Sequence, residues 1–214
     1  MRADVPETGS RARTRRAILD AAIIALGRTP AASLGEIATA AGVGRTTLHR
    51  YFPDRSDLLA AVNAEGVARI DRAVELARLP EGTGGDALVR LAREYFDLGD
   101  LLSLLFSEPQ LVGDPHWEES ADACDPRLEE VIARGHRDGT IDPELPPGWV
   151  QSLIWSQLYA GWGYAASGAS RHEALRLVLR TLTGALTPRP EPAGAGHAPG
   201  RTKARPAAAT RRRG

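Results

Sequence analysis

Residues 33–62 read SLGEIATAAGVGRTTLHRYFPDRSDLLAAV, and their polarity pattern decides how the chain folds. Ser33-Leu34-Gly35-Glu36 has the spacing of a reciprocal capping box, in which the Ser33 hydroxyl accepts from the amide three residues on and Glu36 reaches back. A helix therefore starts here. Leu34, Ile37, Ala38 and Ala41 recur at helical spacing on one face, and Gly42, free to take a positive φ, ends the helix in a sharp turn that Val43 plugs. A second short helix begins near Gly44 or Arg45. Within it Leu48 and Phe52 lie one turn apart and point inward, while Thr46 and Arg50 lie one turn apart on the other side with His49 beside them. Pro53 cannot donate an amide hydrogen and stops this helix; Asp54, with Asp57 three positions later, caps a third that carries Arg55 in its first turn. Two short helices around a glycine turn, the second with an outer face of Arg, Thr and His, have the layout of a DNA-reading helix-turn-helix.

Gly42-Val43, Thr47-Leu48, Tyr51-Phe52-Pro53, the base Arg55 and Leu58-Leu59 give the segment from about Arg15 to Val62 a pattern that resembles the N-terminal domain of the tetracycline-repressor (TetR) family of bacterial transcription regulators. An aromatic pair followed by proline, a cap, a base and a leucine pair is far more specific than a lone helix-turn-helix pattern. Three positions depart from the family's habit, which is Ser or a similar cap where Gly44 stands, Tyr where His49 stands and Lys where Arg55 stands. Gly44 weakens the cap, His49 still offers a bond to a phosphate or base edge, and Arg55 keeps the charge. The departures touch the DNA sequence that is read, not the fold.

The DNA-contacting residues expected of this motif are Ser33, Gly44, Arg45, Thr46, Thr47, His49, Arg50, Tyr51 and Arg55. Arg45 and Arg50 suit guanine O6/N7 or a phosphate, Thr46 and Thr47 a thymine methyl or a phosphate, and His49, Tyr51 and Arg55 phosphate positioning. One short recognition helix covers only a few base pairs. Two of them held about 35 Å apart read a palindrome in successive major grooves, so the expected partners are double-stranded DNA and a second copy of the chain.

Charge is divided along the sequence although the net charge is +0. Residues 1–55 carry 9 Arg against 5 acids, residues 56–186 carry 11 Arg against 21 acids, and residues 187–214 carry 7 Lys or Arg against 1 acid. A basic head on an acidic body suits a DNA-binding module joined to a domain that the duplex repels. Arg11, Arg13, Arg15 and Arg16 sit just before the first helix, where a flexible arm is expected to reach backbone or minor groove. No apolar run approaches the roughly 20 residues of a membrane span and no apolar signal core opens the chain, so a cytoplasmic protein without a membrane partner is expected. Cys124 is the single cysteine and has no internal disulfide partner.

The remaining pattern is helical throughout. An all-α chain is expected, with a disordered arm over 1–10, a three-helix DNA-binding domain over 11–62, a helical regulatory and dimerisation domain over 63–187, and a disordered basic tail over 188–214. Its helices run from Arg15 to Leu26, Arg55 to about Leu79, Asp86 to Phe106 as one helix or as two broken near Gly99, Pro126 to about His136, Trp149 to about Ala166, and Arg171 to Leu186; a turn cluster at 80–85 and a Pro109–Pro115 interruption separate them. Val150, Leu153, Ile154, Trp155, Leu158, Tyr159 and Trp162 are apolar nearly all the way round their helix, which requires cover on more than one side. With the stripe Leu175, Val178, Leu179, Leu182 and Leu186 they either pair with their copies in a four-helix interface or close the chain's own core.

The resemblance further implies a repressor whose acidic C-terminal domain holds a pocket for a small-molecule effector, with no cofactor. Aromatic side chains are the natural lining, and Phe96, Phe106, Trp117, Trp155, Tyr159 and Trp162 are the candidates, against the plainer reading of core or dimer interface. His116 beside Trp117 either faces the same cavity or lies in an exposed loop. The alternative is a ligand-independent regulator that uses Arg201, Lys203, Arg205 and Arg211–Arg213 as a second electrostatic arm. An enzyme is not expected. His136-Arg137-Asp138 lacks the metal-binding partner of a kinase loop, Gly82-Thr83-Gly84-Gly85 has no strand before it and no Lys after it, and the five His and one Cys show no metal-ligand spacing.

Overall fold

A computed structural model of the chain describes residues 9–107 and 124–189, and every regular element among them is an α-helix. In order these are α1 (Gly9–Arg28), α2 (Leu34–Ala40), α3 (Arg45–Tyr51), α4 (Arg55–Ala77), α5 (Gly84–Phe96), α6 (Gly99–Ser107), α7 (Pro126–Asp138), α8 (Pro147–Ala166) and α9 (Arg171–Leu186). Starts follow local chemistry. Asp54, Thr83, Asp125 and Ser170 each accept an amide hydrogen from the first turn of the helix they precede, contacts worth about 1 kcal/mol each. Pro126 and Pro147 sit at the opening of α7 and α8, where a missing amide costs nothing.

The N-terminal helices close one small core. Ile18, Leu19, Ala22, Ile23 and Leu26 on α1 meet Ile37 and Ala38 on α2, Leu48 on α3, Phe52, and Leu58 and Val62 on α4, all buried. One expectation changes. The first helix begins at Gly9, not near Arg15, so Arg11, Arg13, Arg15 and Arg16 are helical and do not form a flexible arm. The physical reason lies in α3: the Arg15 guanidinium stands 5.7 Å from the Phe52 ring centre and the Arg11 guanidinium 5.8 Å from that of Tyr51, giving polar turns an aromatic surface to lie on.

α4 runs unbroken across 62–63, from the head into the body. Arg69 ties its middle to α1 through Asp20 and bonds Glu65 one turn back at 2.7 Å. Its far end is held by two arginines from the body. Arg90 donates to the carbonyls of Ala77 (2.7 Å), Arg78 (2.9 Å) and Glu81 (2.6 Å), and Arg134 donates to those of Leu79 and Pro80. The chain turns there through Arg78 in the left-handed region at φ 48°.

In the body α5 is central, burying Ala87, Leu88, Leu91, Ala92, Tyr95 and Phe96. Glycine permits the closest approach to α7: a β-carbon on Gly84 would stand 2.3 Å from the Gly135 amide nitrogen. Of the two readings left open for this stretch the structure has two helices, α5 and α6, separated before Gly99, and the carbonyl of Phe96 freed by the break accepts from Trp162 Nε1 (3.1 Å) and Arg171 (3.0 Å). Val150, Ile154 and Leu158 on α8 and Ala174, Val178, Leu182 and Leu186 on α9 face inward and close this core, while Trp149 (62% exposed), Tyr164 (44%) and Leu177 (36%) look outward. The Pro109–Pro115 interruption, His116, the arm over 1–8 and the tail from 190 lie outside the described residues. No helix among the described residues is long and apolar enough to cross a membrane.

Candidate nucleic-acid interface

The capping box is complete. Ser33 Oγ accepts from the Glu36 amide at 3.2 Å and the Ser33 amide donates to the Glu36 carboxylate at 2.7 Å. The backbone bond first, and the Ser33 hydroxyl second, hold the Glu36 carboxyl below its ordinary range. At the other end of α2, Gly42 takes φ +67°, its amide donates to the Thr39 carbonyl (3.1 Å), and the Val43 amide donates to that of Ala38 (3.0 Å). This pair of bonds is the left-handed glycine stop that redirects the chain into α3, with Val43 packed on the core as its plug.

α3 then divides by face. Leu48 is fully buried and Phe52, just beyond the helix, is 3% exposed, whereas Arg45, Thr46, His49 and Arg50 are exposed and Thr47 and Tyr51 half-buried. Gly44 precedes it in extended backbone with no side-chain cap. The ring of Tyr51 carries guanidinium groups of both Arg11 and Arg50, the latter 5.7 Å from its centre. His49 Nδ1 lies 3.1 Å from the Pro53 carbonyl, which can only accept, so Nδ1 bears the hydrogen. A neutral His49 thus keeps Nε2 as an acceptor, suited to an amino group on a base edge; donation to a phosphate requires the charged ring.

The structure brings Gly44, Arg45, Thr46, Thr47, His49, Arg50 and Tyr51 together on one helix and its entry, with Ser33 at the start of the neighbouring helix. Arg55 has another task. Its guanidinium is half-buried and donates to the carbonyls of Ala32 and Pro30 (2.6 Å to the latter), pinning the loop before α2 to the start of α4. These bonds use two of the five N–H groups of the guanidinium, a structural task the sequence did not show. Sequence reasoning missed Arg11 and Arg15 as supports of α3; their four-residue spacing, one turn apart opposite an aromatic pair, was the available signal.

The aromatic candidates in the body divide similarly. Phe96 is fully buried, 6.5 Å from the Trp162 ring and 5.1 Å beneath the Arg171 guanidinium, so it is packed into the joint of α5, α8 and α9. Trp162 and Trp155 are half-buried and Tyr159 is 42% exposed; Tyr159 meets Trp162 edge-on at 5.6 Å. Trp155 stacks on Tyr95 at 5.2 Å and 10° between planes, a partner the sequence did not single out. Burial, with Asp125 and Asp71 adding to it against Arg127, pushes the Tyr95 phenol up to about 12, so it stays a hydrogen-bond donor at neutral pH. Trp117 and the side chain of Phe106 lie outside the described residues. A cleft of about 370 Å³ between α1 and α4 contains none of these rings; it is lined by Arg16, Asp20, Glu65, Ala68, Arg69 and Arg72, and Arg69 already spans it with two ion pairs. That makes it a charged seam between helices.

A helix-turn-helix with a buried apolar seam and an exposed cationic reading face, set on a separate helical body, defines a DNA-binding transcriptional regulator. The pattern of the bacterial regulatory proteins of the tetR family matches residues 18–62. The chain is 39% identical over 180 residues to the HTH-type transcriptional repressor LfrR of Mycolicibacterium smegmatis, covering 84% of this chain and 94% of that one. It is 27% identical over 174 residues to the HTH-type transcriptional regulator NfxB of Pseudomonas aeruginosa, covering 76% and 90%. Among solved structures, that of LfrR from Mycobacterium smegmatis superposes with a TM-score of 0.65 over 84% of this chain and 99% of that one, at 39% identity, and its complex with proflavine with 0.61 over 83% and 99%, at 37% identity. The chain belongs to the TetR family.

Proposed function

We propose that this regulator represses transcription as a homodimer on a palindromic operator and is released by a planar aromatic cation. One observation carries the DNA half: α3 buries Leu48 completely yet leaves Arg45, Thr46, His49 and Arg50 in solvent, a cationic and hydrogen-bonding face that the buried core does not require. Arg45 and Arg50 read guanine or grip phosphate, Thr46 and Thr47 meet a thymine methyl or phosphate, His49 accepts from a base edge, and Ser33, Gly44 and Tyr51 line the backbone.

The outer face of the last two helices supports the dimer. Trp149, Tyr164 and Leu177 are large and exposed, and Ala160, Gly163 and Gly184 beside them are exposed and small, which lets a second pair of helices come close. For the effector, the acidic balance of the body favours a cation, and Trp155, Tyr159 and Trp162 favour a flat one. The relative LfrR has been solved in complex with proflavine, a compound of this class, and repression is taken from the name of that relative.

A footprint of the purified chain on DNA flanking its own gene, repeated with proflavine, tests both halves. The expected result is protection of two half-sites about one helical turn apart, lost as proflavine is added. Protection that persists at saturating proflavine sinks the effector class and leaves the DNA reading intact.

A further inference from the structure

We propose that Gly35 is a positioning residue for Arg45: the absence of a side chain at 35 fixes where the first basic group of the recognition helix is held, an inference that rests on the DNA-binding reading above. A β-carbon built on Gly35 would stand 2.6 Å from Arg45 Nη2, 2.7 Å from Nε and 3.0 Å from Cζ. The guanidinium occupies the space an ordinary side chain would fill, lying across the first turn of α2 after the turn at Gly42 has brought the start of α3 beside it.

Nothing else in the fold asks for glycine there. Gly35 does not have a positive φ, it sits inside a helix, and glycine is the poorest helix former after proline. Other helical glycines with approaches this short face packed neighbours, as Gly84 does Gly135 and Gly161 does Val178. At Gly35 the neighbour is the flexible end of an exposed, charged side chain. With no β-carbon at 35 the guanidinium has room to lie against the α2 backbone, and that placement, which a methyl group would shift, is what the glycine supplies.

The consequence separates folding from reading, because a methyl at 35 displaces Arg45 while favouring the helix. The full-length chain is used to enrich a duplex pool randomised over about 30 base pairs, and the enriched palindrome becomes the probe for the unmodified protein, Gly35→Ala, Arg45→Ala and the double variant, with thermal melting of each. Gly35→Ala is expected to melt at or above the unmodified protein, to bind the palindrome roughly 5- to 10-fold more weakly, and to cost no further affinity in the Arg45→Ala background. Equal affinity of Gly35→Ala and the unmodified protein overturns the proposal, as do losses that simply add. A lower melting temperature with the same loss in both backgrounds assigns Gly35 to the fold and overturns it too. If the unmodified chain enriches no duplex at all, the DNA reading fails first and this inference falls with it.

Discussion

α3 and α8 both present a face to solvent that their own core does not need, and the two faces differ in kind. On α3 the outward residues are Arg45, Thr46, His49 and Arg50; on α8 they are Trp149, Ala160, Gly163 and Tyr164. A cationic, hydrogen-bonding face is stable in water and gains from meeting a polyanion whose counterions it releases. An exposed aromatic and small-residue face gains from meeting another surface like itself. The chemistry of what is left over on a helix therefore names its partner more directly than the part that is buried.

That contrast can be broken at the buried side of α3. Leu48→Ala removes a fully buried side chain from a small core and is expected to destabilise the head by about 2–5 kcal/mol, abolishing DNA binding and lowering the thermal midpoint together. Retention of full operator affinity by this variant would show that the head does not depend on its seam. Next in size are the faces themselves. Arg50→Ala is expected to cost operator affinity by about 1–3 kcal/mol without changing the sedimentation of the free protein, whereas Trp149→Glu should convert the dimer to monomer at micromolar concentration with the head still folded. A monomer that still grips the palindrome with undiminished affinity would separate the two faces and refute their coupling.

Arg55 gives a finer test. With both carbonyl contacts internal, Arg55→Ala is expected to lower stability by about 1–2 kcal/mol and to leave the slope of log affinity against log salt unchanged, measured on random duplex. A slope reduced by about one would return Arg55 to the phosphates. The smallest effect concerns acid. The Glu36 and Asp54 carboxyls are held below their ordinary values by bonds to the Ser33 backbone and to the Ser56 side chain respectively, so they bind protons more readily unfolded than folded. The stability they lend is complete above the unfolded values of 4.5 and 3.8 and disappears as pH falls through the lower folded ones. Melting followed from pH 6 to pH 3, on the order of the carboxylate range, should therefore decline less steeply for Glu36→Gln, which removes the Glu36 titration itself.

The head was legible because its signals are local. The Ser33–Glu36 box, the Gly42 stop, the Leu48/Phe52 seam and the Asp54 cap each involve residues within about one turn of one another, and spacing alone reveals them. The helices of the body were legible for the same reason, although the break before Gly99 stayed one of two readings. What escaped were contacts across long stretches of chain. Arg90, Arg134 and Arg171 carry no sequence signal of a fixed partner and Arg55 reads as a phosphate contact, yet each donates to backbone carbonyls 9 to 75 residues away. No periodicity announces such a bond. The start of α1 was missed because residues 9–16 carry no apolar stripe and depend on rings from another helix. Of the aromatic candidates, weighed as pocket lining or core, Phe96 is fully buried, and no spacing announces this because a ring's neighbours are set by tertiary contacts.

α4 crosses without interruption from head to body and is gripped by Arg90 and Arg134 at its far end, which gives it the geometry of a lever. Its 23 residues make a rod roughly 34 Å long at 1.5 Å per residue. A tilt of about 5° at the gripped end carries Arg55 and everything attached to it roughly 3 Å, a displacement that is small beside the body yet large beside a hydrogen bond.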